Sequence, residues 1–372
     1  MIKHFVITCS LLIVAFSSCV HNNQSVVFID NVKNIQYEKL ELETVNIPMS
    51  IETCSYSGDS GVDGDHLYFL DHFFGFLYEI SPSGKIVQRH LGLGNGPDEI
   101  PFRPQLGSNL TNSTLLVMGG TFDFYLFNGL KNRNRLQRKG LEKDNSLEDA
   151  RAYTFFNSIV IRKKANRFFY NIFSEADYCN PYEHSKEYFK NAHILMEVDI
   201  QSGEQKPIGS YSNYYINNHS SVNHLLQISY DIDKKDNFII SYYADSLMYV
   251  YDKQFNLIKA FGFEGFNMNK NYGSAKPNLD DFNRVWAEDY PNKGYYYWIE
   301  YIDETKMTFR SYQKGSHTEY DGLQIYKECV LIADIEVPKQ FKVAGYIAPY
   351  YISQIICDEE AETMKFYKFK ID

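Results

Sequence analysis

Beyond the N-terminal stretch, eight histidines are scattered through the chain: His66, His72, His90, His184, His193, His219, His224 and His317. No two of them sit four residues apart on a helical pattern with a carboxylate between, so the helix of a zinc hydrolase is not encoded. G-x-S-x-G, H-E-x-x-H and P-loop patterns are also absent from the sequence. Gly92-Leu93-Gly94-Asn95-Gly96 is rich in glycine but runs into Pro97 rather than into a helix. It therefore lacks the helix N-terminus that lets such loops hold phosphate, and it reads as a tight crossing between structural units. Gly58 to Asp65 mixes Asp with Gly without the spacing or the closing Glu of an EF-hand loop, and reads as a solvated turn. No catalytic residue is expected. The more suggestive cluster is Tyr211, Asn213, Tyr214, Tyr215, Asn217 and Asn218, where flat apolar rings stand beside amide donors and acceptors. Such a surface suits a sugar or a peptide, since rings stack while amides fix orientation. Tyr295-Tyr296-Tyr297-Trp298, by contrast, reads as a strand with half its rings in the core.

The elements that position these residues repeat. From Asp65 to Ile100 the chain reads HLYFLD, a short turn, FLYEI, a Ser-Pro-Ser-Gly turn, KIVQRHLG and the loop LGNGPDEI. Three β-branched or aromatic runs separated by turn residues make a strand meander. One such sheet cannot bury both its faces alone, so copies must stack. With the run around Tyr78 as the ruler, counterparts occur at 124–127, 195–198, 248–251, 308–312 and 364–369. The intervals of roughly 50 to 70 residues suit propeller blades carrying loop insertions. Six units result. The sixth stops at Asp372 without an outer strand, and Ile35 to Val45 (IQYEKLELETV) alternates as a strand that could complete it. The expected fold is all-β, a six-bladed β-propeller whose ring is closed by an N-terminal strand, here residues 35–46, completing the last blade. Such closure removes exposed sheet edges. Insertions at Ser174–Asn191, Tyr211–Ser221 and Gly265–Arg284 interrupt the repeat, and loops of this kind on a rigid ring are where binding resides. One rim carrying all three is the expected binding face; the first falls within blade 3 before its 195–198 strand and the other two follow outer strands, which leaves opposite rims as the alternative.

The first unit resembles the NHL-like six-bladed propellers found among uncharacterised bacterial lipoproteins, which often carry a G-x-G-x-GPGEF loop after a strand. Gly92, Gly94, Gly96, Pro97 and Glu99 match that loop, with Asp98 and Ile100 in place of the usual Gly and Phe. The resemblance implies the ring and names no catalytic residue. Some six-bladed propellers hold Ca²⁺ in the central channel, and residues placed for that role here would be Glu52, Asn157, Asp231 and Asp289. Polar side chains line any propeller channel, so neither a metal nor a cofactor is expected.

The first nineteen residues read as a targeting segment. Lys3 and His4 precede an apolar run from Phe5 to Phe16, then Ser17-Ser18-Cys19, which resembles a lipobox with Cys19 as the lipidated residue. The apolar run is short for a membrane span. The expected organisation is a signal peptide over 1–19, a polar tether over 20–34 and a single propeller domain over 35–372. The tether lacks the acidic run that some lipoproteins use for surface export, which favours a bacterial outer membrane with the protein facing the periplasm. Cys54, Cys179, Cys329 and Cys357 then remain, with three possible pairings, and read as buried free thiols. A formal charge of −10 repels phosphate backbones and argues against nucleic acid as a partner. The expected function is therefore a lipid-anchored, non-enzymatic binding or scaffold propeller of the cell envelope, with a protein or a glycan as partner. A Ca-dependent propeller hydrolase or lactonase, and a glycan-recognising accessory lipoprotein, are the competing readings.

Overall fold

The computed structural model describes residues 27–28, 32–49, 52–104, 107–119, 123–136, 151–153, 159–175, 179–316 and 318–371. Its sheets form a ring of six blades. Blade 1 runs Gly58–Asp63, His66–Asp71, Phe76–Ile80 and Ile86–Leu91, each strand antiparallel to the one before. Blade 2 begins at Ser108–Thr111, blade 3 at Ile161–Lys164, blade 4 at Ile228–Ile232, blade 5 at Tyr295–Ile302 and blade 6 at Val343–Ile347.

Alternation explains why the sheets stack radially. In the second strand of blade 1, Leu67 and Phe69 pack with Val45, Ile352 and Phe366 of blade 6, whereas Tyr68 and Leu70 pack with Leu110, Val117 and Phe127 of blade 2. In blade 4, Ile240 joins the cluster shared with blade 3, and Ile239 the one shared with blade 5. A strand buried on both faces reads as a continuous apolar run, and each such side chain contributes about 1.5–3 kcal/mol on burial.

The ring is closed by an N-terminal strand. Glu43–Ile47 lies antiparallel to Thr363–Phe369, with Val45 opposite Phe366 and Ile47 opposite Met364. The stretch 35–46 is not used as one piece. Lys33–Tyr37 runs parallel to the outer strand of blade 5, Val330–Val337, and Val27–Phe28 runs parallel to the outer strand of blade 4, Leu257–Phe261. Two pieces that overlap or precede the expected closing strand thus extend neighbouring blades, one of them within the stretch read as tether. The side chains decide the division: Lys33 to Glu38 are mostly exposed, whereas Val45 and Ile47 are buried between blades 6 and 1.

Two further readings are corrected. Gly58–Asp63 is not a turn but the first strand of blade 1. It reads weakly because its small residues serve close packing: a Cβ on Gly58 would meet the Leu70 carbonyl oxygen at 2.3 Å, and one on Gly61 the Tyr68 hydroxyl at 2.6 Å. In blade 5 the run at 308–312 belongs to the second strand, Met307–Gln313, whereas its counterparts are third strands. The first strand of blade 5, Tyr295–Ile302, is itself long and aromatic.

The insertions carry the helices. Ser185–Asn191 (α1), Asn213–Asn217 (α2) and His219–Val222 (α3) pack together, and Leu279–Asn292 (α4) begins within the third insertion and runs past its end.

Candidate functional site

The first strands of all six blades surround a cavity of about 1220 Å³ along the ring axis. Inner strands are stitched to neighbouring blades by polar groups. Asp231 of blade 4 accepts from the Tyr301 amide of blade 5 at 2.8 Å, and Ser108 of blade 2 donates to Asp59 of blade 1 at 2.9 Å. Ser60 of blade 1 accepts from the Ile355 amide of blade 6 at 2.9 Å. Across blades 3, 4 and 5, Arg162 meets Glu300 at 2.7 Å and Asp231 at 3.3 Å. Burial pushes the Glu300 carboxyl up to about 8; Arg162 opposes that rise and Asp231 adds to it. Burial also works against the Arg162 cation, but Asp231 and Glu300 outweigh it and hold the guanidinium above its ordinary range.

Another cation of the lining, Lys342 of blade 6, is placed differently. Its Nζ lies 5.1 Å from the Trp298 ring centre, and it pairs with no carboxylate among the described residues. Burial lowers its pKa, with Asp59 partly offsetting. Trp298 is fixed by donating its indole N–H to the Val343 carbonyl at 2.7 Å.

At one end the cavity is bordered by α4. Asn278 caps this helix by accepting from the Asp281 amide at 2.8 Å, and Asp280 and Asp281 in the first turn complement its dipole. Its C-terminal end is held by Gln313, which donates to the Lys293 carbonyl at 2.9 Å. Val285 and Asp289 face the ring and are buried. Phe282, Asn283, Trp286 and Tyr290, at helical spacing, line the cavity. A row of stacked rings descends from the helix into the channel. Trp286 lies 5.5 Å from Tyr290, Tyr290 4.9 Å from Tyr295, and Tyr295 5.1 Å from Tyr243, with interplanar angles of 27°, 21° and 7°.

Beneath α4, His224 is only 1 % exposed. Its Nε2 is 3.0 Å from Asp289 Oδ2, the same oxygen that accepts from the Gly273 amide at 2.5 Å. Neither of its ring nitrogens meets hydrogen-bond geometry, and neither does Oε1 of the nearby buried Gln227. Both residues line the cavity. Burial lowers the His224 pKa, although Asp289 acts to raise it.

The residues singled out from sequence are partly consumed by packing. Tyr211 and Tyr215 are 4 % and 0 % exposed. Their hydroxyls donate to the Leu226 and Leu225 carbonyls at 3.0 and 2.7 Å, and their rings wedge against Phe189 of α1 at 4.8 and 5.1 Å. Tyr214 is half-buried, with Lys270 Nζ 5.4 Å from its ring centre. Asn213, Asn217 and Asn218 are exposed, and Asn218 donates to the Tyr214 carbonyl at 2.8 Å. The three insertions do meet at one end of the ring. Ser185 Oγ is 2.8 Å from His219 Nδ1, Asn223 donates to the Pro181 carbonyl at 3.1 Å, and the Ala275 amide donates to the Ser220 carbonyl at 3.2 Å.

Of the four channel residues weighed for Ca²⁺, Asp231 and Asp289 are engaged as described and Glu52 is exposed. Asn157 lies outside the described residues, as does Cys19. Among the described residues, no group of three or more His, Cys, Asp or Glu side chains is arranged to hold a metal. The Gly92–Ile100 loop closes on itself: the Gly96 amide donates to Glu99 at 2.8 Å, and Pro97 and Glu99 carbonyls accept from Arg133 of blade 2 at 2.9 and 3.0 Å. It is a crossing between blades. Cys54, Cys179, Cys329 and Cys357 are unpaired.

Sequence reasoning missed His224, Gln227, Trp286, Tyr290 and Lys342. Trp286 and Tyr290 carried a signal, an aromatic pair four residues apart just past the third insertion. The others carried none, because their importance lies in having no partner.

No protein-family model and no curated protein matches the sequence. Solved structures do match. A member of the DUF4221 family from Bacteroides vulgatus superposes with a TM-score of 0.65 at 15 % identity, over 90 % of this chain and 99 % of that one. A protein from Bacteroides fragilis, described as exported, gives 0.53 at 13 % identity, over 93 % and 99 %. The fold is shared: this chain is a six-bladed β-propeller. At such identities the likeness carries the architecture and nothing finer. No helix of the described residues is long and apolar enough to cross a membrane.

Proposed function

We propose that this chain is a lipid-anchored, non-enzymatic binding propeller of a bacterial cell envelope, and that its ligand enters the axial channel at the end bordered by α4. The observation that carries the reading is the cavity of about 1220 Å³ along the ring axis, which combines polar groups with the aromatic side chains Trp286, Tyr290, Tyr295 and Trp298.

Anchoring rests on the sequence Phe16-Ser17-Ser18-Cys19 following the apolar run. The outer membrane, facing the periplasm, is the proposed site. Expressed in a bacterium supplied with labelled palmitate, the wild-type chain should incorporate label and Cys19→Ala should not. Labelling of Cys19→Ala at the wild-type level would remove the anchor from this reading.

A further inference from the structure

We propose that the ring stands on the bilayer with α4 outward. The end formed by the tight strand turns faces the membrane that holds Cys19, and the channel mouth beside α4 opens to the aqueous compartment and takes a water-borne ligand rather than a membrane lipid. The inference rests on the reading of Cys19 as the lipidated residue and adds to it the surface that is turned toward the membrane.

Strand order defines the two ends of the ring. In blade 4 the turns after the first and third strands, 233–237 and 252–256, lie at one end, and the links after the second and fourth, 243–247 and 262–294, lie at the other. Blade 5 repeats this, with turns at 303–306 and 328–329. The turn ends of the two blades meet: the Lys234 amide donates to Asp303 at 2.9 Å, and Lys234 Nζ lies 2.8 Å from Glu304. The three insertions belong to the opposite end. The first joins the second and third strands of blade 3, and the other two follow the fourth strands of blades 3 and 4.

The N-terminal strands show from which end the anchor enters. Lys33–Tyr37 is parallel to the outer strand of blade 5 and starts beside Leu331, just past the turn at 328–329. There the Leu331 amide donates to the Val32 carbonyl at 3.1 Å. Val27–Phe28 is likewise parallel to the outer strand of blade 4. Outer strands run from the turn end toward the α4 end, so both pieces are entered from the turn end. Eight residues carry the chain from Cys19 to Val27, a reach of at most about 28 Å, which keeps the acyl chains close to that end. Two of its cations, Lys234 and Lys306, are paired with Glu304 and Glu328 at 2.8 Å each. They add little attraction for anionic headgroups, so the tether sets the orientation.

The lipidated full chain is placed on phosphatidylethanolamine–phosphatidylglycerol vesicles that carry an acceptor dye on their headgroups. A donor dye is attached through Lys235→Cys, in an exposed turn of blade 4, or through Ala287→Cys, on the exposed side of α4. Both are made in a Cys357→Ser background, because Cys357 is half-buried whereas Cys54, Cys179 and Cys329 are buried. The height of a blade and a helix layer separate the two positions by about 30 Å along the axis, so transfer from position 235 should exceed that from 287 at least about twofold. The undyed chain gives a second reading. Its two tryptophans, Trp286 and Trp298, line the channel, and Trp286 is 42 % exposed on α4. Iodide should quench their emission and brominated acyl chains should not. Equal transfer from the two positions, stronger transfer from 287, or quenching by the brominated lipid overturns the orientation and leaves the anchor standing. Failure of the wild-type chain to take up palmitate removes the anchor, and the orientation with it.

Discussion

Arg310 illustrates how single residues hold this ring. Fully buried, its guanidinium donates to Ser241 Oγ at 2.8 Å and to the Asp245 and Ser246 carbonyls at 2.6 Å each, and it lies 3.3 Å from the Tyr296 ring centre. The Asp245 carboxylate in turn accepts from Ser212 and Tyr249 at 2.8 Å, so one network ties the segment entering α2 to blades 4 and 5. Lysine keeps the charge but not the planar fork. Arg310→Lys should cost about 3 kcal/mol in unfolding free energy, read from the urea midpoint. Glu300 makes a pH prediction. Burial raises its folded pKa from 4.5 to about 8, so between those values the folded chain binds more protons than the unfolded one. Stability from this group is full at low pH and is lost as pH rises toward 8. Melting temperature measured from pH 5 to 8 should fall less steeply in Glu300→Gln than in the wild type, and equal slopes would contradict this account.

At the scale of elements, α4 is added to the blades rather than built into one. It is held by its Asn278 cap, the Asp289–His224 contact and Gln313. Removing an N-cap costs about 1 kcal/mol, which should loosen the helix locally without melting the sheets. Asn278→Ala is therefore expected to speed amide hydrogen exchange across 279–292 by about fivefold, while protection in the strands of blades 1 and 2 stays as it was. The three insertions were legible as interruptions of a repeat. Their convergence on one end of the ring was not, because which end a loop occupies depends on the number of strands before it, and the first strands of the blades were hard to see.

The whole molecule depends on where its ends meet. Trimming the mature chain through residue 37 removes two parallel edge strands whose described side chains are mostly exposed, and should lower the melting temperature by only a few degrees. Trimming through residue 47 removes the strand paired with Thr363–Phe369 and uncovers Phe366 and Met364 between blades 6 and 1. That variant should lose its cooperative transition, since an open blade leaves unpaired backbone groups and an unfilled inter-blade core. Similar melting of the two trimmed forms would place closure elsewhere.

The sequence by itself determined the class of fold, the number of blades and the need for an N-terminal strand to close the last. Those follow from strand periodicity and turn residues, which are local, and from a repeat whose final copy lacks a strand. It overstated the 211–218 cluster, since Tyr211 and Tyr215 have the composition of a binding surface but are buried as wedges between α1 and the ring. Only the tertiary structure decided the candidate site. Arg162, Glu300 and Asp231 come from three blades and satisfy one another, whereas His224, Gln227 and Lys342 line the same cavity with groups left over. Whether a polar side chain is spent or available is a property of its neighbours in space, and a linear pattern of residue types does not encode it.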